Sequence, residues 1–260
     1  ISGFGQTGPY AGRPGFDQIA QGMGGLMSVT GLPGQGPVRA GIAVADSAAG
    51  LYCAFGILAA LLERRRTGRG QALDISMTDG VLRWLALYAA EQWATGTIPA
   101  GGRGPLSGGY AYYSVYATAD GGALTVAAVE PRFWTNLCHM LDREQYAALQ
   151  HAPWPGQARI FADLDAIFAS RTRDQWMAFF GDAEVCVGPA LTLAEALDRH
   201  SEQISALDQP GEGSVRQIGG MFGSTASRPA PALGEHSDEL LTSLGYDGSE
   251  IAGLRAASVI

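Results

Sequence analysis

The residue of this chain best placed for chemistry is an aspartate at the start of a long apolar helix. Asp46 follows the apolar run Gly41–Ala45 and is the one acidic residue at that junction. The spacing of apolar residues predicts a buried helix from about Ser47 to Arg66. On spacing alone, Asp46 is an N-cap that accepts hydrogen bonds from first-turn amides. The same amides and the helix dipole stabilise an ionised carboxylate, so Asp46 could also be a nucleophile.

Strands and helices alternate on both sides of this junction, which predicts a parallel α/β sheet of Rossmann type. We predict the end of a strand at 1–2, a helix at 16–27, a strand at 71–76 and a helix at 78–94. The chain opens without an initiator methionine or a polar lead-in. We therefore expect this large domain to be incomplete at its N-terminal side.

The pattern changes after residue 98 to that of a small α+β domain. The turn Thr118–Gly122 lies between two β-type segments, 110–117 and 124–129, and predicts a hairpin. Helices are predicted at 131–141, 143–149, 160–170, 173–180, 237–244 and 249–256, and a polar loop at 201–229. The predicted organisation is a large domain at 1–98, a linker at 99–109, a small domain at 110–200, a return linker at 201–228, and C-terminal helices at 229–260 that rejoin the large domain.

Composition excludes several classes of function. The formal net charge of −8 disfavours nucleic-acid binding, and all 17 basic residues are arginines, so no lysine can form a Schiff base. Cys53, Cys138 and Cys186 lie far apart in apolar segments, which indicates reduced core residues of a cytoplasmic protein, with neither a disulfide framework nor a metal site. The longest apolar run is interrupted by Gly50 and Gly56 and then closed by charges, so we expect no membrane span.

Nine segments, taken in order, resemble the family III CoA transferases (CaiB/BaiF type), which share their fold with the α-methylacyl-CoA racemases. The resemblance covers essentially the whole chain. It is carried by Ser2–Tyr10, Arg13–Asp17, Ala45–Ser47, Thr67–Gln71, Ser76–Asp79, Ala119–Leu124, Val129–Trp134, Val187–Pro189 and Leu233–Ser237. The resemblance implies a CoA transferase in which Asp46 is the nucleophile.

In this family, such an aspartate attacks an acyl-CoA thioester to form an anhydride and then an aspartyl-CoA thioester. The resemblance implies supporting roles for Gly108 and Gly109 as an active-site glycine loop, although these residues could equally form the end of a linker. Asp17 matches an acidic position near the reacting centre, or caps the helix that follows it. Glu130 is either a polar active-site residue from the small domain or a helix N-terminal carboxylate.

Three further residues are candidates for contact with CoA. Arg13 could meet a CoA phosphate, because a guanidinium forks onto phosphate oxygens, or could be an exposed loop residue. Met77 matches a position that lines the thiol end of CoA, or belongs to the core, and Phe16 lies in the same family element as Arg13. The resemblance also implies CoA and its acyl thioesters as substrates with no permanently bound cofactor, a small carboxylic acid as acceptor, and an interlocked homodimer.

Two other functions compete with CoA transfer. An α-methylacyl-CoA racemase needs two acid/base groups on opposite faces of a thioester enolate. The racemases carry a histidine where this chain has Phe16, which cannot move a proton. That difference favours the transferase, whereas the Val129–Pro131 segment and the Gly108–Tyr110 entry to the hairpin resemble the racemases at least as well. The third possibility is a non-catalytic CoA-binding subunit, suggested by the short glycine loop and the incomplete large domain.

Overall fold

The computed structural model describes residues 1–99, 101–220 and 228–260, which form two compact units, Ile1–Ala190 and Leu191–Ile260. The first unit has the order α1 (Asp17–Met23), α2 (Leu26–Val29), α3 (Val44–Thr67), α4 (Met77–Trp84), α5 (Ala86–Thr95), β1 (Tyr113–Ala117), β2 (Ala123–Ala127), α6 (Pro131–Met140), a 3₁₀ helix (Glu144–Leu149), α7 (Gly156–Phe168), α8 (Arg173–Phe180) and β3 (Val187–Pro189). The predicted helices at 16–27 and 78–94 are each divided into two. The mixed α/β architecture agrees with the predicted fold class.

The long helix α3 organises the N-terminal half of the first unit. It starts three residues before the predicted position and ends at Gly68, whose φ of 73° lets its amide reach the Arg64 carbonyl. Ala45, Ala48 and Ala49 are fully buried against α1 and α4, whose small residues allow close approach. This packing fixes the first turns of α3 against α1 and α4.

The prediction that α3 is buried is wrong for most of its length. Its apolar side chains at Leu51, Phe55, Leu58 and Leu62 are exposed. The prediction that charges close this run before it could span a bilayer is also wrong, because the helix is long and apolar enough by length and composition alone. Only 17% of its most apolar stretch is buried. Length and apolar composition are weak evidence for a membrane span, because core helices of soluble proteins can share both.

The predicted strand at 71–76 is reduced to a single parallel bridge between Ser2 and Ser76. The Ser2 amide donates to the Ile75 carbonyl at 2.9 Å, and the Met77 amide donates to the Ser2 carbonyl at the same distance. A strand is defined by its neighbours, and only this short segment lies alongside residues 71–76. The parallel direction of this bridge agrees with the predicted sheet, but the pairing is far shorter than the predicted strand at 71–76.

The predicted hairpin is confirmed as β1 and β2, with Tyr116 opposite Leu124, and β3 adds antiparallel to β2. One face of this sheet and helices α6 to α8 enclose a large core that includes Tyr116, Trp134 and Phe168. Helices α6, α7 and α8 confirm three predicted helices, and the segment predicted as a helix at 143–149 is a 3₁₀ helix. Cys138 is in the core as expected, Cys53 is half-buried, and Cys186 is exposed, contrary to prediction.

The second unit comprises α9 (Leu193–Arg199), a 3₁₀ turn (Ser201–Gln203), β4 (Ile204–Gln209), β5 (Gly213–Ile218), α10 (Ser237–Ser243) and α11 (Gly248–Ala256). The last two helices confirm prediction. The loop predicted at 201–229 is wrong over its first part, where β4 and β5 pair as an antiparallel hairpin. Residues 221–227 of that predicted loop lie outside the described residues.

Candidate active site

Asp46 lies in the first turn of α3, and its side chain is exposed. Ala43, not Asp46, occupies the N-cap position, so the N-cap prediction for Asp46 is wrong. Among the residues that the structure describes, no hydrogen bond or ion pair engages the Asp46 carboxylate. The carboxylate is therefore free to meet a ligand.

The cap of α3 comes from Asp17, in the first turn of α1. Its Oδ1 accepts a hydrogen bond from the Ala45 amide at 2.7 Å and a longer one from the Asp46 amide at 3.4 Å. The Val44 amide donates to the Ile42 carbonyl at 2.8 Å. The amides of Val44, Ala45 and Asp46 are thus each bonded inside the chain. Asp17 does not cap its own helix, where Phe16 is the N-cap residue without a side-chain bond.

A single buried glutamine braces this arrangement, and sequence reasoning did not select it. Gln21 is 1% exposed and donates from Nε2 to Asp17 Oδ2 at 2.6 Å. Its Oε1 accepts from the Ala40 amide at 2.9 Å, in the segment that leads into α3. The available signal was the spacing of Asp17 and Gln21, which lie four residues apart on one helix face.

The structure brings Asp17 and Asp46 to the same helix start. The N-terminal end of a helix carries a partial positive charge that stabilises nearby anions. α3 is 24 residues long, and its three consecutive arginines, Arg64 to Arg66, lie at the opposite end. An ionised, exposed carboxylate that is held on a rigid helix can attack an electrophilic carbonyl carbon.

Arg13 and Phe16 lie on the exposed loop before α1. The Arg13 guanidinium is 4.7 Å from the centre of the Tyr10 ring, a cation–π contact, and Phe16 is 79% exposed. Met77 instead is buried in a small core cluster with Ala45 and other residues behind the start of α3. Contact of these three residues with CoA stays a prediction.

The glycine loop is tightly folded. Gly109 donates its amide to the Gly104 carbonyl at 3.0 Å, and a Cβ on Gly109 would lie 2.3 Å from the Arg103 carbonyl oxygen. Gly108 has φ of +99°, which favours glycine. The Ala111 amide, just after the loop, donates to the buried Gln157 side chain at 3.0 Å. Hydrogen bonds thus hold the chain at Gly109 and at Ala111, in the segment that could also have been the end of a linker.

Glu130 lies at the N-cap position of α6, without a side-chain cap bond. It accepts a hydrogen bond from Arg132 Nε at 3.0 Å and is exposed. No hydrogen bond or ion pair joins Asp46 to Gly108, Gly109 or Glu130 in the described part of the chain. The active-site roles of these three residues stay predictions.

The chain matches a family and several known proteins. Residues 1–237 match the model of CoA-transferase family III. The whole chain is 33% identical to α-methylacyl-CoA racemase from Mus musculus and covers 70% of that protein. It is also 32% identical to succinyl-CoA–D-citramalate CoA-transferase from Chloroflexus aurantiacus, of which it covers 68%.

A solved structure of the same family also matches this chain in its fold. The CaiB/BaiF family protein from Brucella suis matches with a TM-score of 0.74 and 30% identity, over 94% of this chain and 66% of that chain. The chain thus spans about two thirds of the length of its relatives. Transferases and racemases are both among them, at similar identity. The chain belongs to CoA-transferase family III, whose members here include both CoA transferases and α-methylacyl-CoA racemases.

Proposed function

We propose that this protein is a CoA transferase that moves CoA from an acyl-CoA thioester to a free carboxylic acid, with Asp46 as the nucleophile. The observation that carries the proposal is the exposed Asp46 carboxylate in the first turn of α3, which bonds to none of the residues that the structure describes and leaves the cap to Asp17. A nucleophile that also had to cap the helix would be held away from a substrate by its own hydrogen bonds. Asp17 removes that conflict.

The proposed reaction conserves the energy of the thioester through covalent steps. An oxygen of Asp46 attacks the thioester carbonyl, and the C–S bond breaks. CoA departs as a thiolate, and the product on the protein is a mixed anhydride of Asp46 and the acyl group. The thiolate attacks the aspartyl carbonyl and expels the donor carboxylate, which leaves an aspartyl-CoA thioester. The acceptor carboxylate attacks that thioester, the C–S bond breaks, and a second anhydride forms with release of CoA thiolate. Attack of the thiolate on the acceptor's acyl carbon then gives the new acyl-CoA and restores the Asp46 carboxylate.

Each of these steps develops a negative oxygen that needs a donor nearby. The amides of Val44, Ala45 and Asp46 at the start of α3 are already bonded within the chain, so they cannot supply it. The Gly109 amide is also engaged, with the Gly104 carbonyl. The Gly108 amide has no hydrogen-bond acceptor among the described residues. Gly108 is therefore our preferred oxyanion donor of the glycine loop.

Racemisation at the α-carbon is the second candidate, favoured by the 33% identity to the Mus musculus racemase. That reaction needs one group to remove the α-proton and another to return it from the opposite face. Phe16 supplies no proton, and both oxygens of Asp17 accept hydrogen bonds from the α3 amides and Gln21. Of Asp17 and Asp46, only Asp46 then has a carboxylate that is free to move a proton. Racemisation needs two such groups, so this arrangement supports transfer over racemisation.

The substrates and setting follow from the same proposal. We infer an acyl-CoA donor and a small or medium carboxylic acid acceptor, with no permanently bound cofactor. We also propose a cytoplasmic homodimer, and the exposed apolar side chains of α3, among them Phe55 and Leu58, support a protein surface that covers this helix.

The two candidate reactions differ in what they require. We would incubate the intact gene product with 2-methylacyl-CoA in deuterated water, with and without a free acid. Transfer predicts new acyl-CoA only when the acid is present, and a borohydride-trapped product on Asp46. Deuterium at the α-carbon without an acid acceptor, and no trapped product, would instead favour racemisation.

A further inference from the structure

Gln21 is a buried polar side chain whose hydrogen-bonding groups all meet partners around the start of α3. It is 1% exposed, and it lies on α1. Its Nε2 donates to Asp17 Oδ2 at 2.6 Å and to the Ile42 carbonyl at 3.3 Å, and its Oε1 accepts from the Ala40 amide at 2.9 Å. A buried amide group is costly unless it is bonded in this way.

These partners lie on two different segments that converge on Asp46. Asp17 is one turn earlier on α1 and reaches across to the amides of α3. Ala40 and Ile42 belong to the irregular segment just before α3, and Ile42 lies four residues before Asp46. The Ile42 carbonyl also accepts the Val44 amide at 2.8 Å. One side chain thus orients the cap and fixes the backbone that enters the helix.

We propose that Gln21 is a positioning residue for the Asp46 nucleophile, which it aims through Asp17 and through the 40–42 segment. This inference rests on the proposed transferase function. Gln21 is too buried to touch a substrate, so its effect passes entirely through these two neighbours. A covalent step requires the attacking oxygen close to the reacting carbon, and small displacements of a catalytic group cost large factors in rate.

Two variants separate positioning from general packing. Gln21→Leu keeps a side chain of similar size and removes every hydrogen bond. Gln21→Glu keeps the oxygen that accepts from Ala40, and it places a second carboxylate against Asp17 Oδ2, which lies 2.6 Å from the present donor. Gln18→Leu is the matched control, because Gln18 is on the same helix, is exposed and has no hydrogen bond in the described part of the chain.

The measurements use the intact gene product with an acyl-CoA donor. We expect kcat and the rate of the Asp46 adduct to fall about ten- to a hundredfold in both Gln21 variants, with KM for the acyl-CoA within about twofold. Amide hydrogen exchange of the peptide that spans 43–47 should accelerate by a similar factor, because the Asp17 cap loses its brace. Gln18→Leu should match the wild type in all three readouts.

The outcomes are distinct. An adduct that forms at the wild-type rate in Gln21→Leu would overturn the positioning role, even if the variant were less stable. An increase in KM with unchanged kcat would also overturn it, because it would indicate a binding effect. Absence of an Asp46 adduct in the wild type would refute the proposed function itself. Unchanged exchange across 43–47 in both Gln21 variants would refute the brace without reference to activity.

Discussion

Replacing Asp17 with alanine should loosen the start of α3 more than any other single change to a surface-accessible carboxylate. The change removes the acceptor of the Ala45 amide at 2.7 Å and of the Asp46 amide at 3.4 Å. It also removes the charged partner of Gln21 Nε2, which keeps only a 3.3 Å bond to the Ile42 carbonyl. The first turn of α3 then has no side-chain cap.

The magnitude follows from these contacts. Loss of an N-cap acceptor costs about 1 kcal/mol, and loss of a charge-assisted hydrogen bond to a buried amide costs about 1.5 kcal/mol. Together they predict about 2–3 kcal/mol for Asp17→Ala, or a roughly 30- to 150-fold rise in local opening at the conversion of 1.4 kcal/mol per tenfold. Asp17→Asn keeps one acceptor oxygen and loses the charge, so we expect about 1 kcal/mol.

Amide hydrogen exchange of the 43–47 peptide measures this opening directly, and it needs no knowledge of the substrate. Asp79→Asn is the control, because Asp79 is another first-turn carboxylate, is 62% exposed, and has only a 4.0 Å ion pair with Arg83. We expect the Asp79→Asn substitution to change the free energy of local opening by less than about 0.5 kcal/mol. Equal exchange rates in Asp17→Ala and wild type would refute the account of the cap.

Two other predictions concern the glycine loop and the cysteines. Gly109→Ala should destabilise the protein by about 1–3 kcal/mol and slow adduct formation, because its Cβ would lie 2.3 Å from the Arg103 carbonyl oxygen. A wild-type melting temperature would contradict the tight loop. Cys186 should react with a thiol reagent in the native protein, whereas Cys138 should react only on unfolding, because it is buried and burial raises the pKa of its thiol to about 12. Native labelling of Cys138 would contradict its core position.

Local patterns predicted the elements whose signals are contained within a few residues. The hairpin of β1 and β2 followed from the Thr118–Gly122 turn between two β-type segments, and its register brings Ala117 opposite Ala123. The end of α3 followed from the arginines and Gly68. In each case the determining residues are neighbours in sequence.

Features that depend on distant partners could not be predicted in this way. Asp46 is the carboxylate nearest in sequence to the start of α3, yet the cap comes from Asp17. Asp17 accepts a hydrogen bond from the Asp46 amide, 29 residues further along the chain. The segment 71–76 has strand-like residues, but a strand also needs neighbouring backbone, and only the Ser2 bridge supplies it. Local spacing contains no information on either partner.

The β4–β5 hairpin was missed for a different reason. Every residue of β5 is exposed, and β4 is only partly covered, so no alternation of apolar and polar residues marks these strands. The turn signal at Pro210–Gly211 was present between them. Gln21 was also missed, because its spacing from Asp17 gives no information on its contacts with Ala40 and Ile42 in the folded chain.

The exposed apolar face of α3 explains why its burial was predicted wrongly. Periodicity identifies which side chains are apolar, and it does not show whether any chain segment covers them. Leu51, Phe55 and Leu62 are uncovered here, while the alanines of the first two turns are packed as expected.

The central claim is that Asp46 attacks the acyl-CoA thioester, and the most direct measurement is peptide mass spectrometry after trapping. The intact gene product would be incubated with an acyl-CoA, treated with hydroxylamine or borohydride, and digested. The account predicts a modified Asp46 that is absent when CoA thioester is omitted and absent from Asp46→Asn. Unmodified Asp46 in a preparation that transfers CoA, or a modification at another residue, would contradict it.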